Sequence, residues 1–282
     1  MILITGASGT NGREIVQQLS AKGLPFRVMV RQLPTPVPQF PHVEYVVGDF
    51  TDPSSITRAL TGIDEAFLLS PSTAGQVERE TNFIQMASQA HVRHLVKFSI
   101  LGADPDSPSR LLRRHGEIEQ TLRISGVPFT ILRPSYFMQN LFWYAKDIRS
   151  KGVFYGVWPK DYKHAHVDVR DNAAIAVACL TQRGREGKCY RITGPEALSY
   201  VQVTGLLSAA IGANVRYENS LENYRRFLES SGSNVEEIIG LDQCVAAGMG
   251  NGPMVNSTVL DITSRPPIRF AEFAKEYSKA FQ

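Results

Sequence analysis

Ile2-Leu3-Ile4-Thr5-Gly6-Ala7-Ser8-Gly9-Thr10-Asn11-Gly12 is the stretch that decides the fold. Ile2 to Thr5 read as a short buried strand. The segment 11–22 carries Ile15, Val16 and Leu19 on one side at helical spacing. The glycines at 6, 9 and 12 form a G-x-x-G-x-x-G turn between strand and helix, rather than the commoner G-x-G-x-x-G. The physics of the two patterns is shared. One glycine makes the tight strand-to-helix turn, one lets a pyrophosphate approach the backbone, and one permits close helix–strand packing. The N–H groups and positive end of the helix then face the phosphates.

The alternation continues outward from this stretch. Apolar runs at 26–30, 43–47, 65–69, 94–99 and 129–132 read as buried parallel strands. The segment 76–90 reads as an amphipathic helix with Val77, Phe83, Ile84 and Ala87 inward. Strand–helix–strand repetition implies right-handed crossovers that cover both faces of a parallel sheet. The expected fold is therefore α/β, a doubly wound parallel sheet of the Rossmann type with a smaller, mostly helical C-terminal lobe. The expected domains are a nucleotide-binding domain over 1–150, to which 171–193 returns, and an interleaved smaller lobe over 151–282. Later in the chain 136–148 reads as an aromatic-rich helix, 152–158 as short and irregular, and 173–180 as a helix. Residues 188–192 read as a strand, and 201–211, 221–228, 235–247 and 270–281 as amphipathic helices. Pro34, Pro36, Pro38 and Pro41 put four prolines in eight residues, so strands two and three are joined by an extended or turn-rich connector.

Composition bounds the function classes. The 282 residues are 43% hydrophobic and 20% charged, which excludes a disordered chain, a collagen or a coiled-coil rod. A dispersed net charge of +3 gives no field for nucleic-acid binding. No apolar stretch reaches the roughly 18–20 residues that cross a bilayer. Gly6 ends the first apolar run too early for a secretion signal, so a cytoplasmic protein with no membrane and no nucleic-acid partner is expected. Cys179, Cys189 and Cys244 are odd in number, match neither a zinc site nor a disulfide framework, and read as buried reduced thiols. His164 and His166 have no carboxylate or cysteine partner nearby in sequence, and no metal is expected.

The second strand speaks to the cofactor. An NAD-type site puts an acidic residue about 20 residues beyond the glycines. Here the strand ends Val28-Met29-Val30-Arg31-Gln32, and no carboxylate follows until Glu44. The Arg31 guanidinium suits the 2′-phosphate of NADP(H), the alternative being a solvated arginine at a strand end. In Gly48-Asp49-Phe50-Thr51-Asp52, Asp49 falls where a strand end approaches the adenine, while Asp52, before Pro53, reads as a helix cap. Leu69-Ser70-Pro71-Ser72 offers hydroxyls at the carboxyl edge of the sheet, where ligands of open α/β sheets bind.

Together Thr5 to Gly12, Val30-Arg31, Gly48-Asp49, the strand 94–99, His115-Gly116-Glu117-Ile118-Glu119 and Leu132-Arg133-Pro134-Ser135-Tyr136-Phe137-Met138-Gln139-Asn140-Leu141 resemble the NmrA-like family. This family belongs to the atypical short-chain dehydrogenase/reductases. The segment 194–203 and Arg265-Pro266-Pro267 extend the resemblance over essentially the whole chain. It implies a cofactor site at Gly6, Ser8, Gly9, Thr10, Asn11, Gly12, Arg31, Asp49, Phe50, Leu69, Ser70, Ser99, Pro134 and Tyr136. It also implies NADPH-dependent hydride transfer to a small conjugated acceptor (a quinone, azo compound or iminium), with His115, Ser99 and Tyr136 as catalytic residues. Because the family also contains redox-sensing regulators, the alternative is a non-catalytic NADP(H) sensor acting through a protein partner. A homodimer is compatible with either.

The chain departs from ordinary short-chain reductases in one respect. Their catalytic base is a Tyr with Lys four residues on, and none of the ten tyrosines has one. Leu111 and His115 stand where that motif should fall, while Ser99 matches the position of the family's catalytic serine. Leu111, His115, Ile118 and Leu122 form an inward stripe, with Glu119 one turn away to hold the ring or raise its pKa. His115 then either stands in for the lysine, orienting the cofactor or relaying a proton, or is a core histidine satisfied by hydrogen bonds. Tyr136, Phe137 and Met138 are placed beside the nicotinamide by the resemblance. Phe142, Trp143, Tyr144, Phe154, Tyr155 and Trp158 either line a pocket for a flat substrate or form a core.

Overall fold

The structure, a computed structural model, describes residues 1–33, 35–36, 40, 42–248 and 254–282. Contacts divide the chain into two units. The first comprises Met1–Asp106, Arg113–Arg133 and Val169–Arg191, and the second Ser107–Leu112, Pro134–Asp168 and Ile192–Gln282. The stretch 134–150, expected with the sheet, groups with the second unit. Of the four-proline connector only Thr35, Pro36 and Phe40 are described, and its other residues lie outside the described ones.

The chain runs through β1 (Ile2–Ile4), α1 (Thr10–Ala21), β2 (Phe26–Val30), β3 (Val43–Val47), α2 (Pro53–Leu60), β4 (Glu65–Leu68), α3 (Gln76–Gln89), β5 (His94–Phe98), α4 (Arg110–Ile124) and β6 (Phe129–Pro134). A 3-10 segment (Met138–Tyr144), α5 (Ala145–Lys151), β7 (Val153–Gly156) and β8 (Lys163–His164) follow. After α6 (Val169–Thr181) and β9 (Lys188–Ile192) come β10 (Leu198–Ser199), α7 (Tyr200–Ile211), β11 (Arg216–Asn219), α8 (Leu221–Ser230) and α9 (Val235–Ala246). The chain closes with α10 (Thr258–Thr263), α11 (Phe270–Glu276) and α12 (Ser278–Phe281).

The main sheet has the order β3-β2-β1-β4-β5-β6-β9. Ile2 pairs in parallel with Phe26 on one side and Glu65 on the other. Strand order therefore reverses between β1 and β4, which makes the crevice at their carboxyl ends the ligand position of a doubly wound sheet. Helices cover the sheet because their apolar positions recur with helical period. Ile56 and Ala59 of α2, Phe83 and Ile84 of α3, and Ile118 and Leu122 of α4 pack with Leu3, Leu68 and Ile131 in one core. Each of these Ile, Leu and Phe side chains removed from water contributes roughly 1.5–3 kcal/mol. The expected cap of α2 is present, with Asp52 Oδ1 accepting the Ser54 N–H at 3.0 Å ahead of Pro53.

Three segments of the second unit differ from expectation. Val153–Gly156, read as irregular, is a strand paired in parallel with Arg216–Asn219. The segment 136–148 is no single helix. The Met138 N–H donates to Val167 O at 3.0 Å and the Val167 N–H to Tyr136 O at 2.9 Å, so Tyr136 and Phe137 are held extended and only a 3-10 turn and α5 follow. The segment 270–281 breaks at Tyr277 into α11 and α12. Of the three thiols only Cys179 is buried, whereas Cys189 is exposed and Cys244 half-buried. Among the described residues, no helix is long and apolar enough to cross a membrane.

Candidate functional site

The crevice is built from the end of β1. Thr5 is fully buried, and its hydroxyl donates to Phe67 O at 2.9 Å while accepting the Leu69 N–H at 2.9 Å, tying the ends of β1 and β4 together. Gly6 has φ +67°, and a Cβ there would lie 2.6 Å from Leu69 O. A Cβ on Gly12 would come within 2.1 Å of Gly6 O, so the turn closes only on a glycine. Gly9 differs, because its Cβ would meet nothing nearer than Gly6 O at 3.5 Å. It is the N-cap of α1, no side chain caps that helix, and the first turn holds no acidic residue. The leading N–H groups of α1 are left for an anion, which is what a cofactor pyrophosphate requires. Ser8 and Thr10 are exposed, while Asn11 is buried and accepts from Asn172 Nδ2 at 3.4 Å.

Along the same edge Arg31 is exposed at the end of β2. The N–H and hydroxyl of Thr51 bind Asp49 Oδ1 at 2.8 and 2.7 Å and hold its carboxyl below the usual range, with a smaller contribution from the Arg31 charge. Phe50 turns inward, its ring 5.7 Å from that of Phe83. The Ser70 hydroxyl also turns inward, donating to Glu80 Oε1 at 2.8 Å.

His115 lies on the buried face of α4 with Leu112, Ile118 and Leu122. The half-exposed Leu111 is not part of that stripe. Gly116 permits the close approach, since a Cβ there would sit 2.2 Å from Pro105 N. Glu119 does not hold the ring. Its Oε1 accepts the Ser99 hydroxyl at 2.6 Å and Arg133 Nε at 2.8 Å, which also commits the Ser99 proton. The pKa of His115 moves down rather than up, because burial and then the charges of Lys97 and Arg114 oppose a second proton. The ring's contact is with Gln76, Nε2 to Nε2, at 3.5 Å.

The second unit has a centre of its own. Asp242 of α9 is buried and accepts the Tyr136 hydroxyl at 2.7 Å and the Tyr224 hydroxyl at 2.8 Å. Burial pushes its carboxyl up to about 6, while the two phenols pull the other way. Burial, followed by the Asp242 charge, raises Tyr136 well above the ordinary phenol range. The aromatic residues form a core around it. Trp158 and Phe154 are buried, Phe142 stacks on Phe281, and Tyr144 stacks on Phe227 at 4.3 Å, which leaves only Trp143 well exposed. His164 and His166 lie in that core with ring centroids 5.3 Å apart, and burial lowers both, His166 to about 4. Among the described residues no group of three or more His, Cys, Asp or Glu is placed to hold a metal ion.

Gln76, Glu80, Lys97 and Asp242 are central residues that the sequence reading passed over. One of them had a signal. Lys97 sits inside the apolar strand His94-Leu95-Val96-Lys97-Phe98, where a cation needs a buried partner.

A glycine-led, uncapped helix at the switch point of a doubly wound parallel sheet defines the class of dinucleotide-binding α/β proteins. Within that class, the model of the NmrA-like family matches residues 1–245, and the chain belongs to this family. It is 37% identical over 284 residues to an NAD(P)H azoreductase of Xenophilus azovorans, covering 100% of this chain and 99% of the relative. A (4-alkanoyl-5-oxo-2,5-dihydrofuran-3-yl)methyl phosphate reductase of Streptomyces griseus is also 37% identical, with the same coverage. The NADPH-dependent quinone oxidoreductase of Escherichia coli, solved with NADPH bound, superposes with a TM-score of 0.83 at 28% identity, over 98% of this chain and 99% of that one.

Proposed function

We propose that this protein is an NAD(P)H-dependent reductase that delivers hydride to a small conjugated acceptor, a quinone, azo compound or iminium. The observation that carries the reading is the full-length 37% match to an azoreductase, on a chain whose own switch point leaves the first turn of α1 open to phosphates. The bound dinucleotide supplies the hydride. In this reading the turn Gly6, Ser8, Gly9, Thr10, Asn11 and Gly12 holds the pyrophosphate, and Arg31 takes the 2′-phosphate and favours NADP(H). The backbone around Asp49, Phe50, Leu69 and Ser70 borders the adenosine half, while Ser99, His115, Pro134 and Tyr136 serve the nicotinamide end. The domain assignment, with a nucleotide-binding sheet and a smaller lobe for the acceptor, is part of the same proposal.

The chemistry of these side chains favours an acceptor that needs little acid catalysis. The Ser99 proton is bonded to Glu119, the Tyr136 proton to Asp242, and the Tyr136 pKa is raised. His115 is held from becoming an imidazolium. An acceptor that delocalises negative charge, or starts with a positive one, can be reduced without a strong protein acid, and water supplies the proton that completes a quinol or hydrazo product. The test is steady NADPH consumption with a panel of quinones, azo dyes and iminium dyes. Turnover with at least one class is expected. Tight NADPH binding with no turnover on any of them would overturn the enzyme reading in favour of a sensor.

A further inference from the structure

A chain of buried polar groups in the first unit reaches His115 through Gln76. Gln76, Glu80 and Lys97 are wholly buried and His115 is 5% exposed. Gln76 Nε2 lies 3.2 Å from Glu80 Oε1 and 3.5 Å from His115 Nε2, and Gln76 Oε1 accepts from Arg114 Nε at 3.4 Å. Glu80, one turn along α3, also accepts the Ser70 hydroxyl at 2.8 Å and pairs with Lys97 Nζ at 2.8 Å.

These partners fix the Gln76 amide. An ionised carboxylate only accepts and a guanidinium only donates, so the NH2 group faces Glu80 and the amide oxygen faces Arg114. The second N–H of the same NH2 group then faces His115 Nε2. Two donors cannot share that contact, so Nε2 presents its lone pair and the ring proton resides on Nδ1. Burial and the nearby charges of Lys97 and Arg114 oppose a second proton. Nδ1 is buried and has no hydrogen-bond partner among the described residues. Buried donors are rarely left this way, and such an orphan calls for an explanation.

We propose that Gln76 is a positioning residue: clamped by Glu80 and Arg114, it holds His115 as the Nδ1–H tautomer, and that N–H donates to the lone pair of the acceptor heteroatom that gains electron density during hydride transfer. The inference rests on the reductase reading for its ligand. It separates the acceptor classes, because quinone oxygens and azo nitrogens have the required lone pair and an iminium nitrogen does not.

The first readout needs no turnover. Long-range proton–nitrogen NMR of the whole protein at neutral pH should show the His115 ring neutral with its proton on Nδ1. An Nε2–H or doubly protonated ring would overturn the proposal even if reductase activity is intact. In Gln76→Leu the Nδ1–H tautomer should lose its dominance, and kcat/KM for quinones should fall about tenfold, the effect of losing one ordinary hydrogen bond to the transition state. Iminium turnover and NADPH affinity should change by less than about twofold, since neither uses that hydrogen bond. An equal loss for both acceptor classes would overturn the proposal. Should Gln76→Leu fail to fold, His115→Asn and His115→Gln decide. Asn places its N–H where Nδ1–H stands and should retain more quinone activity than Gln, and the reverse order or equality would contradict the assignment. Absence of turnover with every acceptor would sink the reductase reading, while the ring spectrum would still report on the tautomer.

Discussion

Glu80 and Asp242 are both buried carboxylates, one in each unit, and they are held in different ways. Glu80 is paired with a cation, Lys97, and also accepts from Ser70 and Gln76. Asp242 has two phenols and no cation, and its pKa is pushed up to about 6. Two hydroxyl donors do not offset the loss of water around a buried charge. The first centre is an ion pair clamped by Ser70 and Gln76, and the second responds to pH.

Breaking the clamp on one side should cost the most stability. Lys97→Met strands Glu80 without its cation and should cost about 3–5 kcal/mol in urea unfolding. Adding Glu80→Leu should recover part of that loss, since an apolar pair does not need to be charged. A double variant as unstable as the single one would show that packing, rather than charge pairing, holds this region.

The next effect concerns pH, and its two contributions have opposite signs. The folded chain keeps the Asp242 proton up to about pH 6, whereas the unfolded chain loses it near the ordinary carboxylate value of 3.8. Through that window the folded state binds more protons, so this group's contribution to stability falls as pH rises. His166 is neutral down to about pH 4 when folded and titrates at 6.5 when unfolded. Its contribution falls as pH falls. Each amounts to on the order of 3 kcal/mol. His115 and His164 are lowered as well, so acidification from pH 6.5 to 4 should destabilise the protein overall. Asp242→Asn removes the opposing slope and should steepen that loss in thermal melts across the range. An unchanged slope would mean that Asp242 is not the titrating group.

Smaller again is Tyr224→Phe, which deletes one hydrogen bond to a buried charge and should cost about 2 kcal/mol. Because that bond lowers the Asp242 pKa, its loss should also carry the Asp242 titration higher. The smallest effect on stability is expected at Arg31→Ala, an exposed site where a change stays within about 0.5 kcal/mol. Its readout is binding. Fluorescence titration should show the preference for NADPH over NADH reduced, and an unchanged preference would remove Arg31 from the cofactor site.

These contrasts also explain what could be read from the chain. β1, the glycine turn and α1 were legible because their signals are local, namely an apolar run, three glycines and a helical period. The Asp52 cap was legible for the same reason. β7 was not, because its partner β11 lies some sixty residues on, and a four-residue strand takes its identity from that pairing. Gln76, Glu80 and Asp242 look in sequence like the solvated polar residues of amphipathic helices. Only the packing of several elements buries them. Glu119 lies beside His115 on the helix, but apart from Arg123 on the same helix its partners are Ser99, just after β5, and Arg133 of β6, which the sequence does not bring together. The aromatic residues after Pro134 allowed a pocket or a core, and stacking such as Tyr144 on Phe227 and Phe142 on Phe281 makes all but the exposed Trp143 core.

An isotope label follows the hydride from the dinucleotide to the acceptor. NADPH deuterated at the transferable position of the nicotinamide is mixed with the protein and an iminium dye whose reduction creates a carbon–hydrogen bond. Mass spectrometry then follows the leuco product. The label should appear at that carbon, at the same level in deuterated and ordinary water adjusted for the starting label. Unlabelled product formed as NADPH is consumed would contradict the account.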